Sequence, residues 1–301
     1  MEQKVVVIGA TNIDLIGYPH EEQLVSQDSN IGTVYKVFGG VGRNIAENLG
    51  LLGQHVSFIT VVGDDVDGEA CMQDLKANHV HVEAIKAPKS SYYMAVLDEN
   101  RDMAVAINDM ESIEALTPSF VMSHKALLEE ATIVVLETNV AEDVIEAVMK
   151  LEKPIYVDVI SIPKTFKIKD HLARIHTLKL NRYEAAALYD KRLSNQAKAK
   201  DAVHWLLEQG VKRVFLTLGK EGVLIGENNQ VRHMMSKTQE VMSATGAGDA
   251  FIAGVIYGDL NKFSPVISGL SMAGLALDSL ASVNPNITAK KLDELIKEYI
   301  L

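Results

Sequence analysis

Short, almost wholly apolar runs alternate along this sequence with amphipathic stretches, and no other feature limits the fold as much. The runs are Lys4–Ile8, Val56–Val62, Thr132–Leu136, Ile155–Val159, Ile175–Leu178 and Arg213–Leu218, all rich in Val, Ile and Leu. Strands covered on both faces read this way, whereas a strand with one wet face alternates polar and apolar. Between them lie Asn44–Leu52, Gly68–Ala77, Ala141–Leu151, Tyr183–Tyr189 and Ala197–Gln209, which read as amphipathic helices. Strand and helix in alternation predict βαβ units, hence an α/β fold with a mostly parallel sheet.

Two stretches interrupt this pattern. Ile13–Phe38 and Ser91–Ile107 read as extended rather than helical. The second predicts a hairpin, Tyr92–Leu97 and Met103–Ile107 around a turn at Asp98-Glu99-Asn100. Strands inserted near the start of an α/β unit form either an antiparallel edge on the main sheet or a small separate sheet, a lid over a cleft. The 301 residues contain no repeat, low-complexity tract or long linker, and a single domain over 1–301 is expected.

Charge narrows the partners. The 40 acidic and 29 basic residues give a formal charge of −11, so a broad basic face for nucleic acid is not expected. A local anion site made of backbone N–H groups is not forbidden. Cys71 is the only cysteine, which leaves no internal disulfide and no cysteine metal cluster, and fits a reducing, cytoplasmic setting. The apolar run Val5–Ile8 stops at Gly9, too short for the core of a signal peptide. Val266–Val283 is broken by Asp278 and several serines and falls short of a membrane span.

Chemistry concentrates in glycine-rich turns that open helices. Ser243-Ala-Thr-Gly-Ala-Gly-Asp-Ala-Phe251 precedes an apolar helical stretch running to about Leu260. Small residues at Gly246, Ala247 and Gly248 let successive N–H groups converge at a helix N-terminus, an anion hole suited to phosphate. Asp249, in the first turn, is either a helix-dipole acid or a carboxylate placed to take a hydroxyl proton. Gly39-Gly-Val-Gly-Arg-Asn44 opens a second helix. It is not a dinucleotide fingerprint, because the third glycine would fall on Ile45, and no G-x-x-x-x-G-K-[ST] loop occurs. Gly40 and Gly42 would let a polar ligand approach the backbone, with Asn44 offering its amide; a tight turn before a helix uses the same residues.

Gly9-Ala-Thr-Asn-Ile-Asp14 follows the first strand, where open α/β sheets bind ligands. Asn12 and Asp14 there suit neighbouring sugar hydroxyls, or form an Asx turn. Glu137 and Asp158 sit at the ends of two further strands. In Lys179-Leu-Asn-Arg-Tyr-Glu184, Asn181 and Glu184 share a helix face. They can order Mg²⁺ waters near a phosphate or make a capping box. Thr217-Leu-Gly-Lys-Glu-Gly222 reads as strand, turn and strand, able to lie along an adenosine. The histidines lack metal-ligand spacing, and no Ser–His or Cys–His nucleophile pattern is present.

Taken together and in this order, from Val5 to about Pro285, these motifs resemble the ribokinase-like (PfkB) carbohydrate kinase family; GGVGRN and TGAGDAF are its specific part. The resemblance implies a doubly wound, mostly parallel α/β sheet flanked by helices, with a small β-sheet lid. It implies transfer of the ATP γ-phosphoryl group to a hydroxymethyl group, with Mg²⁺. Asp249 would be the general base and Gly246, Ala247 and Gly248 the anion hole. Asn12, Asp14, Gly40, Gly42, Asn44 and Glu137 would hold ribose. Asn181 and Glu184 would position Mg²⁺ through water, and Asn181, Thr217, Gly219, Gly222 and Gly248 would line the ATP site.

Within the family, Asp28-Ser-Asn-Ile-Gly32, Gly39–Asn48, Ala106-Ile-Asn-Asp-Met110, Ile175–Lys179 and Val283-Asn-Pro-Asn286 are most similar to members that phosphorylate the ribose 5′-hydroxyl of pseudouridine. That makes Asn30 and Asn108 candidates for reading the base. Ser243 stands where many relatives carry an acid beside a monovalent-cation loop, which puts K⁺ activation in doubt. Leu180 stands where Pro is common, and Asp158-Val-Ile-Ser161 departs from Asp-Pro-Val-Ser. The exposed edges of the lid strands predict a homodimer in which lids pair across a two-fold axis.

Overall fold

The computed structural model describes residues 3–20, 24–98, 103–236, 246–279 and 281–300. Its strands are β1 (Lys4–Ile8), β2 (Asn12–Pro19), β3 (Gly32–Gly39), β4 (His55–Gly63), β5 (Val80–Ala87), β6 (Tyr92–Leu97), β7 (Met103–Asp109), β8 (Ile133–Glu137), β9 (Ile155–Asp158), β10 (Thr177–Asn181), β11 (Arg213–Thr217), β12 (Val223–Glu227) and β13 (Gln230–Met234). Its helices are α1 (Val41–Leu51), α2 (Val66–Ala77), α3 (Pro118–Ser123), α4 (Lys125–Glu130), α5 (Glu142–Met149), α6 (Ile162–Thr165), α7 (Arg182–Tyr189), α8 (Gln196–Glu208), α9 (Ala247–Asn261), α10 (Pro265–Leu277) and α11 (Ala289–Ile300).

The main sheet runs β13-β12-β11-β10-β9-β8-β1-β4-β5. From β11 to β5 every neighbouring pair is parallel; β12 and β13 extend the sheet antiparallel. Alternate residues of β1 serve opposite cores. Val6 and Ile8 pack with α5, α7 and α8, while Val5 and Val7 pack with α1, α2, α9 and α10. A strand buried on both faces has no room for polar alternation, which is why these strands are nearly all apolar. Helix α9 is buried almost all round: Phe251 and Val255 meet the sheet, and Ala250 and Tyr257 meet α10 and α11. No described helix is long and apolar enough to cross a membrane.

The interrupting segments build a separate sheet of four strands, β3-β2-β6-β7. Its outer pairs are antiparallel and its central pair, β2 with β6, is parallel. The expected hairpin is β6–β7; Glu99 and Asn100 of its turn lie outside the described residues. Going outward from β1, the chain first adds β4 and β5 on one side, then β8 to β11 on the other. The strand order therefore reverses between β1 and β8, and a crevice opens beyond their carboxyl ends.

Candidate active site

Glu137 ends β8 at the floor of that crevice. It has no exposed surface. Its Oε1 accepts from the Ala10 N–H at 2.6 Å and its Oε2 from the Asn139 N–H at 2.8 Å, which ties the loop after β1 to the loop after β8. Burial pushes its pKa up to about 7, against the pull of those two N–H groups and Lys164. Glu137 thus holds the backbone that carries Asn12 into β2. Asn12 Nδ2 donates to Asp14 Oδ1 at 2.5 Å. Burial raises Asp14 to about 6, opposed by Asn12, Arg43 and Ser282.

Two helix N-termini converge above this floor, and neither has a side-chain cap. Gly40 precedes α1 with φ +101°, and Gly246 precedes α9 with φ +79°. Both lie in the region that only glycine enters at little cost. A Cβ on Gly246 would stand 1.9 Å from the Ser282 carbonyl oxygen. Among the described residues no side chain caps the first N–H groups of α9, at Ala247, Gly248 and Asp249, and such groups suit an anion. A Cβ on Gly248 would fall 2.7 Å from Lys179 Nζ, so a buried ammonium abuts the same turn.

Asp249 lies in this turn, 8% exposed. Asn44 on α1 donates from Nδ2 to Asp249 Oδ2 at 2.8 Å. Burial raises the Asp249 carboxyl well above the usual range and Asp158 adds to it, while Lys179 and Asn44 pull it back. Lys179 on β10 pairs with both oxygens of Asp158 on β9, at 2.9 and 3.0 Å. Burial works against its charge, but Asp158, Asp249 and Glu184 outweigh it and hold Lys179 protonated. The result is a proton acceptor and an array of N–H donors in the first turn of α9, with a cation from β10 against it.

The other expected residues divide. Asn181 and Glu184 form a capping box at the start of α7. Asn181 Oδ1 accepts from the Tyr183 and Glu184 N–H groups, and Glu184 Oε2 accepts from the Asn181 N–H at 2.7 Å. Glu184 nonetheless faces Lys179, and burial lifts it to about 7. Thr217 ends β11 beside Asn181, followed by the turn with Gly219 and Gly222. Asn108 falls in one row of the small sheet with Asp14, through Tyr93. Paired residues of neighbouring strands point the same way, so Asn108 shares the Asp14 face. Asn30 is spent on its own loop, bonding Val25 and the Asp28 carbonyl. Ser243 and Thr245 lie outside the described residues.

Three contributors had no strong local signal. Lys179 and Asp158 were visible only as residues at strand ends, and Arg43 only as the filler between Gly42 and Asn44. Among the described residues no cluster of three or more His, Cys, Asp or Glu side chains could hold a metal directly.

The family model for pfkB carbohydrate kinases matches residues 2–272. Pseudouridine kinase of Escherichia coli (strain K12) is 35% identical over 260 residues, 83% of this chain and 82% of that protein. An uncharacterized sugar kinase of the same organism, YeiI, is 33% identical over 293 residues, 94% of this chain and 81% of its own length. The crystal structure of ribokinase from Thermotoga maritima matches with a TM-score of 0.87 at 18% identity, over 99% of this chain and all 100% of that one. The last is a likeness of fold: the chain has the ribokinase-like architecture.

Proposed function

The chain belongs to the pfkB family of carbohydrate kinases, and from that premise we propose that it phosphorylates the ribose 5′-hydroxyl of pseudouridine. At the coarser level it is an ATP-dependent kinase of a sugar or nucleoside. The observation that carries the phosphoryl-transfer reading is the buried Asp249 carboxylate in the uncapped first turn of α9, bonded by Asn44 and next to Lys179. When bound, ATP supplies the phosphoryl group and Mg²⁺ neutralises part of its charge.

In this reading Asp249 accepts the proton of the acceptor hydroxyl. The N–H groups from Gly246, Ala247 and Gly248 onward, with Lys179 behind them, stabilise the charge that develops opposite. Asn12, Asp14, Gly40, Gly42 and Asn44 orient the ribose, and Glu137 fixes the loop that carries Asn12. Asn181 and Glu184 would hold Mg²⁺ through water, which suits an ion that dehydrates reluctantly and leans on substrate phosphates. Thr217, Gly219 and Gly222 would line the ATP side. Ser243 puts potassium activation in doubt, and no step of this reading depends on it.

The small sheet is the proposed lid. Its inner row carries Asp14, Tyr93 and Asn108, which supports contact with a nucleoside rather than a bare sugar. Its outer rows carry Val34 (71% exposed), Met94 (44%), Val105 (56%) and Ile107 (64%). So large an uncovered apolar face supports pairing of lids in a homodimer. A cytoplasmic setting belongs to the same reading, with Cys71 unpaired and buried.

Pseudouridine differs from uridine in a C–C glycosidic link, which leaves a ring N–H where uridine has C–H. An acceptor aimed at that N–H would be unpaired by uridine, costing about 1–3 kcal/mol. The test is kcat/KM for pseudouridine, uridine and ribose under identical ATP and Mg²⁺, with pseudouridine preferred about 5–150-fold over uridine. If ribose or uridine equals it, the substrate is another sugar or an N-linked nucleoside, as kinship to YeiI would also allow.

A further inference from the structure

Arg43 is 4% exposed and sits one residue before Asn44 at the start of α1. Its Nη1 donates to the Phe38 carbonyl and to Asn44 Oδ1, each at 3.2 Å. Its Nη2 donates to Asp74 on α2 at 2.5 Å and stands 2.6 Å from Glu47 Oε2. The opposite end of the Asn44 amide donates to Asp249. An amide has a carbonyl end and an NH₂ end of nearly equal size, and its neighbours decide which way it lies. Here one neighbour is a guanidinium, which only donates, and the other a carboxylate, which only accepts. Reversing the amide would replace two hydrogen bonds by two repulsions. Remove the guanidinium and half of that preference disappears.

We propose that Arg43 is a positioning residue for phosphoryl transfer: it orients the Asn44 amide so that its NH₂ end faces Asp249 and favours the ionised carboxylate. The inference rests on the kinase reading above. The groups facing Arg43 are Glu47 on its own helix, Asp74 and the Cys71 thiol on α2, and Asp14 on β2. Those facing Asp249 are Asp158 and Lys179 from β9 and β10, Asp14 from β2 and Asn44 from α1. Arg43 touches none of the reacting atoms in this scheme and acts through Asn44.

The test compares Arg43→Met, Arg43→Lys, Asn44→Ala and the double variant Arg43→Met with Asn44→Ala. Two quantities are read: the acid limb of the kcat–pH profile, and the titration of Asp249 by carboxyl ¹³C NMR in the ligand-free protein. Thermal midpoints control for folding. Arg43→Met is expected to move the limb and the Asp249 titration up by about half to one pH unit and to lower kcat about tenfold at neutral pH. Arg43→Lys, which keeps a charge against Glu47 and Asp74 but cannot reach every partner, should move both less in the same direction. It carries the test if Arg43→Met fails to fold. In the Asn44→Ala background more than half of the Arg43→Met shift should vanish. The proposal is overturned if the variants lower the thermal midpoint while Asp249 titrates unchanged, or if the shift is the same with and without Asn44. Should no acceptor be phosphorylated, the kinase reading fails, and the carboxyl titration still decides the role of Arg43.

Discussion

Asp249 has to be ionised to accept a proton, and its burial opposes ionisation. The site answers with Lys179 on one side and the Asn44 NH₂ on the other. A base raised in this way is well matched to neutral pH. Asp249→Asn should keep the fold and most substrate binding but lower kcat by about 10²–10⁴; wild-type kcat in that variant would mean that another group takes the proton. The pH dependence follows in sign. Because burial raises Asp249, kcat should start to fall as pH drops through the neutral range, not only below about 4, where a free Asp titrates. Removing Lys179, which pulls Asp249 down, should shift that limb to higher pH; a Lys179→Met profile with an unmoved limb would show the ammonium exerts no such pull. The string around Asp249 was legible in the sequence because glycine turn, helix start and carboxylate are all local. Its partners were not. Asn44 stands 205 residues away, and Lys179 and Asp158 are 21 apart on neighbouring strands. Each could be assigned to a strand or helix end, but which ends face one another depends on the strand order, and no spacing encodes that.

At the scale of elements, the strands easiest to read were those buried on both faces. β5 was missed because it is an edge strand bearing His81, Glu83 and Lys86, so it lacks the continuous apolar signal. The lid segments were recognisable as extended but could not be told from an antiparallel edge on the main sheet. The capping box at Asn181 shows a local motif whose two readings share the same residues, and here the backbone bonds are formed. Two predictions belong at this scale. Gly246→Ala puts a Cβ against the Ser282 carbonyl in a left-handed conformation. It should cost about 1–3 kcal/mol of stability and lower kcat, by displacing the first turn of α9; denaturant unfolding and turnover check it together. On the lid, Ile107→Asp places a charge on the edge strand β7 beside Met94, in the outer apolar face. Light scattering at micromolar concentration should find the wild type dimeric and this variant monomeric, whereas a monomeric wild type refutes lid pairing.

Over the whole molecule, the carboxyls that titrate abnormally high gather around the crevice and under α1. Asp14 is raised to about 6, and Glu47, Glu137 and Glu184 to about 7, with burial the largest cause in each. Their ordinary values are 3.8 for Asp14 and 4.5 for the three glutamates. A carboxyl whose folded pKa lies above its unfolded value binds its proton more tightly in the folded state. Between the two values the native protein therefore carries more protons than the unfolded chain, and the free energy of unfolding falls as pH rises. The groups that shift down lie outside that window. Asp65 and Asp67, held by hydrogen bonds from Ser90, Gly68, Lys36 and Tyr92, lose their contribution only as pH falls below the ordinary Asp value. His176 opposes the trend. Burial and Arg213 depress it, so it adds stability as pH rises through its ordinary value of 6.5. With Asp158 and Asp249, also raised by burial, six raised carboxyls against one depressed imidazole leave a net decline. Urea unfolding should give a free energy that is largest at about pH 4, decreases to about pH 7.5 and then levels, since the groups raised to about 7 are by then mostly ionised in both states. Stability that is flat or rising from pH 5 to 7.5 would mean that these carboxyls ionise normally despite their burial, and would remove the basis for a raised proton affinity at Asp249 as well.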